Sequence, residues 1–155
     1  MSRLELLIPP PVILLLAMGL AYLLSGQSWQ ELFIDVSFDN IFWPLLFISA
    51  GATVAISGVL EFIKFKTTVD PLHPNKSKTI VQSGVYAFTR NPMYLGMLLV
   101  LLGWADFLDS LNAFSGAVFF FLYIDRFQIR PEEAILSANF GEEYLNYLSQ
   151  VRRWL

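Results

Sequence analysis

The sequence predicts an all-α integral membrane protein with about four transmembrane helices. Hydrophobic side chains make up 55% of its 155 residues, and aromatic side chains make up 15%. The mean hydropathy of +0.56 is too high for an ordinary soluble domain of this size. Long uncharged stretches alternate with short polar segments. We therefore expect a single membrane domain over residues 1–155 that ends in a cytoplasmic amphipathic helix.

The uncharged stretches place the predicted spans at about residues 6–24, 41–63, 92–108 and 111–128. The first stretch reaches roughly 28 Å at about 1.5 Å per residue, close to the thickness of the hydrocarbon core. A signal peptide is the competing interpretation, but Arg3 is the only early base and no small-residue cleavage site follows. The uncharged cores of the last two stretches are too short to cross independently, so we expect a short helical hairpin that turns around Asp109.

Small side chains recur at nearly helical spacing in the second span, at Gly51, Ala55 and Gly58. Such a stripe lets two helices approach closely in lipid. Packing within the monomer and a dimer face both fit this pattern, and we favour packing within the monomer. The oligomeric state is left open.

The basic residues predict the orientation in the membrane. All ten Lys and Arg residues lie before the first span, between residues 64 and 90, or from residue 126 onward. The opposite loops contain no base and carry Glu31, Asp35, Asp39, Asp106 and Asp109. By the positive-inside rule, both termini and the polar motifs face the cytoplasm, and we expect a bacterial inner membrane.

Composition also excludes several kinds of site. The chain has no cysteine, so thiol nucleophiles, disulfides and Cys-ligated metals are ruled out. His73 is the only histidine and no metal-binding motif surrounds it, so we predict a solvated loop histidine and no metal site. The formal net charge of -3, without a basic run, predicts that nucleic acid is not a partner.

Two polar segments, residues 83–96 and 130–133, adjoin apolar stretches on the predicted cytoplasmic side. A helix start explains part of each, because each contains a proline and the carboxylates of Glu132 and Glu133 would complement a helix dipole. Capping does not explain why these ionisable groups lie beside a membrane exit, where such groups are functional candidates. We also expect the connection over residues 66–92 to be ordered, because it carries apolar side chains that can pack.

The closing segment has the pattern of an amphipathic helix. Its apolar positions recur every three or four residues, at Phe140, Tyr144, Tyr147, Leu148 and Val151. Two roles are open for this helix: an anchor in the membrane interface with Trp154 at headgroup depth, or a cover over a bound ligand.

From about residue 78 to 154 the chain resembles the isoprenylcysteine carboxyl methyltransferase family and its bacterial relatives, which are membrane enzymes that use S-adenosylmethionine. The resemblance rests on the motifs at residues 83–86, 90–96, 132–133, 140–144 and 151–154. It implies a cofactor-binding half over residues 67–155. The preceding residues match only as generic membrane spans.

The resemblance also implies which residues form the site. Those expected around the cofactor are Lys78, Thr79, Ile80, Val81, Tyr86, Asn91, Pro92, Met93, Tyr94 and Glu132. Those expected to take part in catalysis are Arg90, Asn91, Tyr94 and Glu133. Together they predict that the methyl group of S-adenosyl-L-methionine is transferred to a lipophilic or prenylated acceptor in the bilayer.

Two positions depart from the family pattern. Asn91 stands where members usually have histidine. Its side-chain amide, unlike an imidazole, cannot titrate near neutral pH. Gln128 stands where eukaryotic members have an arginine near the acceptor, and Arg126 or Arg130 would have to substitute. We assign Gln128, Arg126 and Arg130 to acceptor binding.

Three other functions stay open beside this prediction. A phospholipid N-methyltransferase would use the same donor on an amine acceptor. A sterol-reductase-like oxidoreductase would use NADPH instead. A tetraspan scaffold would have no catalytic role.

Overall fold

The computed structural model describes residues 5–28, 30, 38–66, 72, 74, 77 and 79–155. The regular secondary structure of these residues is entirely helical. The α-helices are α1 (Pro10–Ser25), α2 (Phe38–Lys64), α3 (Pro92–Phe107), α4 (Phe114–Ile124), α5 (Arg130–Phe140) and α6 (Glu142–Gln150). Short 3₁₀ turns lie at Gly84–Ala87 and Leu111–Ala113. Arg3, His73 and Lys78 lie outside the described residues.

One helix in the described part of the chain is long and apolar enough to cross a membrane, over Asn40–Lys64. It lies within α2 and agrees with the predicted second span. Only 11% of its most apolar window is buried, whereas the core helix of a soluble protein would be mostly buried. Large apolar side chains such as Trp43, Leu46 and Ile56 are exposed on it, as expected of a surface that faces lipid rather than water.

The helices α1 and α3 are apolar but shorter. The first predicted span was placed at residues 6–24, whereas α1 begins only at Pro10. Leu6 has a positive φ of 54°, and Pro9 is extended, so the chain cannot be helical before this point. The hairpin is as predicted: α3 ends at Phe107, and Asp109 lies in the turn that precedes α4.

Glycines allow α2 and α3 to touch backbone to backbone. A Cβ on Gly51 would lie 2.5 Å from the carbonyl oxygen of Gly96, and a Cβ on Gly96 would lie 2.7 Å from Cβ of Ala55. Gly58 meets Pro92 and Met93 at the start of α3. The small-residue stripe of α2 is therefore used inside the monomer, and it fixes the position of the segment that begins α3.

A second close crossing joins α1 and α4, where Gly116 packs on Ala17 and Ala21. Beside it, a core cluster brings together α1, α3 and α4 through Ile13, Leu101 and Phe120. This core extends to Ile129, so it reaches the polar segment that follows α4.

The helical structure does not end near residue 128, where the fourth span is predicted to end. A π-helical turn over Asp125–Ile129 connects α4 directly to α5, and Ile129 and Arg130 both have helical dihedral angles. The segment over residues 130–133 is therefore not a free helix start. Because the preceding turn continues the helix, the dipole explanation for Glu132 and Glu133 is wrong.

The predicted C-terminal helix is also interrupted. Gly141 has a φ of +55° and separates α5 from α6, and the chain leaves the helix at Val151. The apolar face of α6 buries Tyr144 and Tyr147 inside the protein. Residues 151–155, here called the C-terminal tail, form a non-helical end.

We predict that Gly96→Ala destabilises the protein, because the added methyl group collides with the backbone of α2. Overpacking of this kind costs typically about 1–3 kcal/mol. Thermal unfolding in detergent measures the effect. The matched control is Gly19→Ala on α1, where nothing lies within 4 Å of the added Cβ. Equal unfolding temperatures for the two variants would contradict the packing described for α2 and α3.

Candidate functional site

The two polar segments meet where the first turn of α3 faces α5. The Tyr94 hydroxyl donates a hydrogen bond of 2.6 Å to Oε1 of Glu132. Tyr94 belongs to the buried core cluster, so its ring has a fixed position. Because Tyr94 lies on α3 and Glu132 on α5, this hydrogen bond joins the two motifs that the sequence places 38 residues apart.

A second buried group holds the same carboxylate oxygen. Nε2 of Gln128 donates to Oε1 of Glu132 at 2.6 Å, and Gln128 is only 2% exposed. Both donors are neutral and both approach Oε1. The hydrogen bonds of the described residues leave Oε2 of Glu132 without a protein donor.

Gln128 lies in the π-helical turn and Glu132 lies four residues later in α5, a spacing at which helical side chains are neighbours. Pro131 has no amide hydrogen, so the carbonyl of Phe127 loses its ordinary helical donor. The amide of Leu6 replaces that donor at 3.0 Å, and Glu5 pairs with Arg126 at 3.2 Å. The segment before α1 thus supplies the hydrogen bond that the irregular turn lacks, as expected where a proline interrupts a helix.

Glu133 points into a separate cluster of charged groups. Its two oxygens accept from Nε and Nη2 of Arg153 at 3.2 and 2.6 Å, and Nη2 of Arg90 lies 3.1 Å from Oε1. Arg153 also donates to Asp125 at 2.8 Å, and Asp125 accepts from Arg130 at the same distance. Adjacent glutamates therefore have opposite surroundings: Glu133 is paired with two cations, and Glu132 is bound by neutral groups.

Tyrosines enclose the side of the site that faces α6. The Tyr147 hydroxyl donates to the carbonyl of Tyr86 at 2.8 Å, and Tyr144 packs beside Tyr147. Tyr86 in turn packs edge-on against Phe62 at the end of α2. Burial raises the pKa of Tyr86, Tyr144 and Tyr147, so all three hydroxyls stay protonated at neutral pH.

The charge of Glu132 is sensitive to pH near neutrality. Burial raises the pKa of Glu132 from 4.5 to about 7, since the enclosed carboxylate loses hydration. The hydrogen bonds from Tyr94 and Gln128 lower this pKa, and the charge of Glu133 raises it. A cationic ligand beside Glu132 would supply the charge compensation that the described residues do not provide.

Comparison with known families identifies the group to which this site belongs. The profile of the phospholipid methyltransferase family matches residues 40–143. The chain belongs to this family. The matched region contains Tyr94, Gln128, Glu132 and Glu133, whereas Arg153 lies beyond it.

The relatives of this family member support the resemblance that its motifs indicate. The chain is 33% identical over 139 residues to the Protein-S-isoprenylcysteine O-methyltransferase of Rattus norvegicus, covering 81% of this chain and 47% of that protein. The chain is 34% identical over 80 residues to the Schizosaccharomyces pombe protein of the same name. This alignment covers 50% of this chain and 33% of that protein. An uncharacterised protein of Haemophilus influenzae is 48% identical over 63 residues, covering 41% of this chain and 100% of that protein.

The alignments also differ in extent. The chain spans about half the length, or less, of the named methyltransferases that it matches. No solved structure matches the chain.

The structure brings many of the predicted site residues together. Tyr94, Gln128 and Glu132 form one hydrogen-bonded group. Arg90 and Asn91 belong to a second group, which Arg153 links to Glu133. The two groups adjoin because Glu132 and Glu133 are neighbours in the chain, and Tyr86 and Val81 are buried. Pro92 and Met93 pack against Gly58 of α2. Thr79 and Ile80 are half-buried. Their contact with a cofactor, like that of Lys78, stays a prediction.

The residues assigned to the acceptor fall into two groups. Gln128 is buried with its amide on Glu132, whereas Arg126 and Arg130 are more than half exposed and pair with Glu5 and Asp125. Their contact with an acceptor stays a prediction. In the described residues no group of three or more His, Cys, Asp or Glu side chains is placed to hold a metal ion.

Sequence reasoning did not assign Asp125 and Thr89 to the site, and it noted Arg153 only as part of a closing motif. Thr89 is 1% exposed and donates to the carbonyl of Arg153 at 3.3 Å. Asn91 is the residue that precedes α3, but its side chain makes no capping bond and donates to the same carbonyl at 2.9 Å. The pair of arginines near the C-terminus was the available signal for these contacts.

We predict that Glu132 makes stability fall as the pH rises from about 5 to 8. The folded protein keeps the Glu132 proton up to a pKa of about 7, whereas the unfolded chain releases it near 4.5. The folded state therefore binds more protons in this interval, and the loss reaches on the order of 3 kcal/mol above pH 7. Thermal unfolding in detergent across this range provides the measurement.

The control for this prediction is Glu132→Gln, which keeps the shape and the acceptor oxygen but does not titrate. We expect a smaller decline for this variant than for the wild type. Glu142→Gln, at an exposed position of α6, should behave as the wild type does. Identical pH profiles for wild type and Glu132→Gln would refute the raised pKa.

Proposed function

We propose that this chain is a membrane methyltransferase that uses S-adenosyl-L-methionine and acts on a lipophilic acceptor from the cytoplasmic side. Residues 67–155 form the donor-binding half in this proposal, and α1 to α4 form about four membrane spans. The family membership and the apolar surface of α2 support the proposal. The isoprenylcysteine methyltransferase relatives support an acceptor that resides in the membrane.

The observation that carries the proposal is the carboxylate of Glu132. Among the described residues no cation pairs with it, although its neighbour Glu133 has two arginines. An enclosed carboxylate without a cation is costly, and a positively charged ligand removes that cost. The sulfonium and ammonium groups of S-adenosylmethionine have the required charge, and its ribose hydroxyls can also donate to Oε2.

Arg90 supplies a positive charge to the same proposed site, opposite to that of Glu132. Its Nη2 pairs with Glu133, but its Nε is buried and has no acceptor among the described residues. A buried donor without an acceptor costs about 1–3 kcal/mol, or more when it is charged. The methyl donor, S-adenosylmethionine, contains an amino acid group. Glu132 therefore matches its ammonium, and Arg90 matches its carboxylate.

The reaction requires orientation more than acid or base catalysis. The donor supplies a methyl group on a sulfonium, and an acceptor lone pair displaces the sulfur in line with the breaking bond. The task of this chain is to align the partners and exclude water, and alignment can supply on the order of 7–11 kcal/mol. Tyr94 and Gln128 fix Glu132, while Tyr86, Tyr144 and Tyr147 close the side toward α6.

A phospholipid amine is the alternative acceptor, in line with the description of the matching family. An ammonium group must lose a proton before it attacks, and Glu132 has a pKa of about 7 that suits a proton acceptor. A carboxylate or thiolate acceptor needs no such base, and Asn91 cannot provide one. Preferential transfer of a labelled methyl group to phosphatidylethanolamine, rather than to prenylcysteine carboxylates, would select the phospholipid alternative.

We predict that the purified protein in detergent binds S-adenosylhomocysteine and does not bind NADPH. The affinity should fall as the pH is lowered below about 7, because protonation removes the negative charge of Glu132. Glu132→Gln should weaken binding at least tenfold at pH 8, the size expected from the loss of one charged hydrogen bond, about 1.5–3 kcal/mol. Isothermal titration calorimetry provides the measurement.

Glu142→Gln serves as the matched control, since this exposed glutamate is on α6 and outside the site. Its affinity should equal that of the wild type. Binding of NADPH instead of S-adenosylhomocysteine would favour the reductase alternative. If neither ligand binds, the enzyme proposal fails for this chain and the scaffold alternative remains.

A further inference from the structure

The C-terminal tail lies between the two polar segments of the site. It leaves α6 at Val151, whose dihedral angles are extended, and the Trp154 ring packs on Phe121 of α4 with a centroid distance of 5.0 Å. The tail is therefore anchored at both ends, by α6 before it and by the core at Trp154. Its middle residues, Arg152 and Arg153, contact the site.

The backbone of the tail holds the segment that precedes α3. The amide of Arg90 donates to the carbonyl of Arg152 at 3.0 Å. The side chains of Thr89 and Asn91 both donate to the carbonyl of Arg153, at 3.3 and 2.9 Å. Consecutive tail carbonyls therefore bind three consecutive residues just before α3, and two of them, Arg90 and Asn91, are predicted site residues.

The side chain of Arg153 holds the other segment. Nε and Nη2 form a fork on the two oxygens of Glu133, and Nη1 donates to Asp125 in the π-helical turn. Arg153 thus links residue 91, through its carbonyl, with α5 and the π-helical turn, through its guanidinium. The neighbouring Arg152 contributes only its backbone to these contacts, and its side chain is exposed.

We propose that Arg153 is a positioning residue for the Glu132 carboxylate. It acts through Glu133 and does not itself touch the donor. This inference rests on the proposed function, because it assumes that Glu132 binds the methyl donor. The fork on Glu133 sets the rotation of the first turn of α5, and Glu132 is the preceding residue on that turn.

Charge gives a second reason for the same role. Arg153 and Arg90 share Glu133, so loss of Arg153 leaves that carboxylate to Arg90 alone. Arg90 would then be drawn fully onto Glu133, and this shift would displace its Nε, the group that the proposed function assigns to the carboxylate of the methyl donor. A lysine at position 153 keeps the charge but cannot form a planar fork while also reaching Asp125.

The test compares the binding of S-adenosylhomocysteine by Arg153→Met and Arg152→Met, using calorimetry in detergent. We expect Arg152→Met to bind as the wild type does and Arg153→Met to bind about tenfold more weakly. Arg153→Lys should lose several-fold in affinity. This conservative variant also serves if Arg153→Met does not fold.

A double-mutant cycle with Glu133→Gln decides whether Arg153 acts through Glu133. If it does, the double variant Arg153→Met, Glu133→Gln should have about the same affinity for S-adenosylhomocysteine as the single variant of lower affinity. The reason is that both changes remove the same interaction. For a merely structural role, the single effects would multiply, or the variants would lose thermal stability while the folded protein bound with normal affinity. Either result would overturn the inference.

The outcomes also separate this inference from the proposed function. If the wild type binds S-adenosylhomocysteine and Arg153→Met or Arg153→Lys binds it equally well, Arg153 is not a positioning residue but the proposed function stands. If the wild type does not bind S-adenosylhomocysteine, the proposed function fails and this inference fails with it.

Discussion

The hydrogen bond between Tyr94 and Glu132 is the interaction on which the rest of the site depends. It joins α3 to α5 at the edge of an apolar bundle, where an enclosed carboxylate must be stabilised by donors. The donors that the described residues provide are neutral, so they fix the position of the carboxylate without neutralising its charge. A site of this kind is pre-organised for a cation, and this is the physical basis for proposing a sulfonium methyl donor.

The surrounding structure keeps this carboxylate in place. Close packing of Gly51 and Gly96 sets the position of α3 against α2, and Gln128 holds Glu132 from the irregular turn that precedes Pro131. The C-terminal tail then closes the arrangement from the other side through Arg153. The glycine contact and the Arg153 fork join groups distant in sequence, and the irregular turn accepts a hydrogen bond from Leu6, so the site forms only when the whole bundle has folded.

Much of the helical arrangement could be predicted because hydropathy records it directly. The limits of α2 and α3 followed approximately from uncharged runs and from Pro92, and the motif resemblance singled out Tyr94, Gln128 and Glu132, which the structure joins by hydrogen bonds. The π-helical turn could not be predicted, because residues 125–129 continue a helical pattern and the compensating donor comes from Leu6. The contacts of Arg153 could not be predicted either. The closing pair of arginines is visible in the sequence, but the partners of Arg153 are Glu133, Asp125 and a segment near residue 90, and no local pattern specifies these partners.

The most direct measurement of the central claim is an experimental structure of the protein with S-adenosylhomocysteine bound. We expect a polar group of this ligand within about 3 Å of Oε2 of Glu132, while Tyr94 and Gln128 remain on Oε1. A ligand bound elsewhere would contradict this expectation. So would a protein cation, such as the side chain of Lys78, paired with Glu132 in place of the ligand.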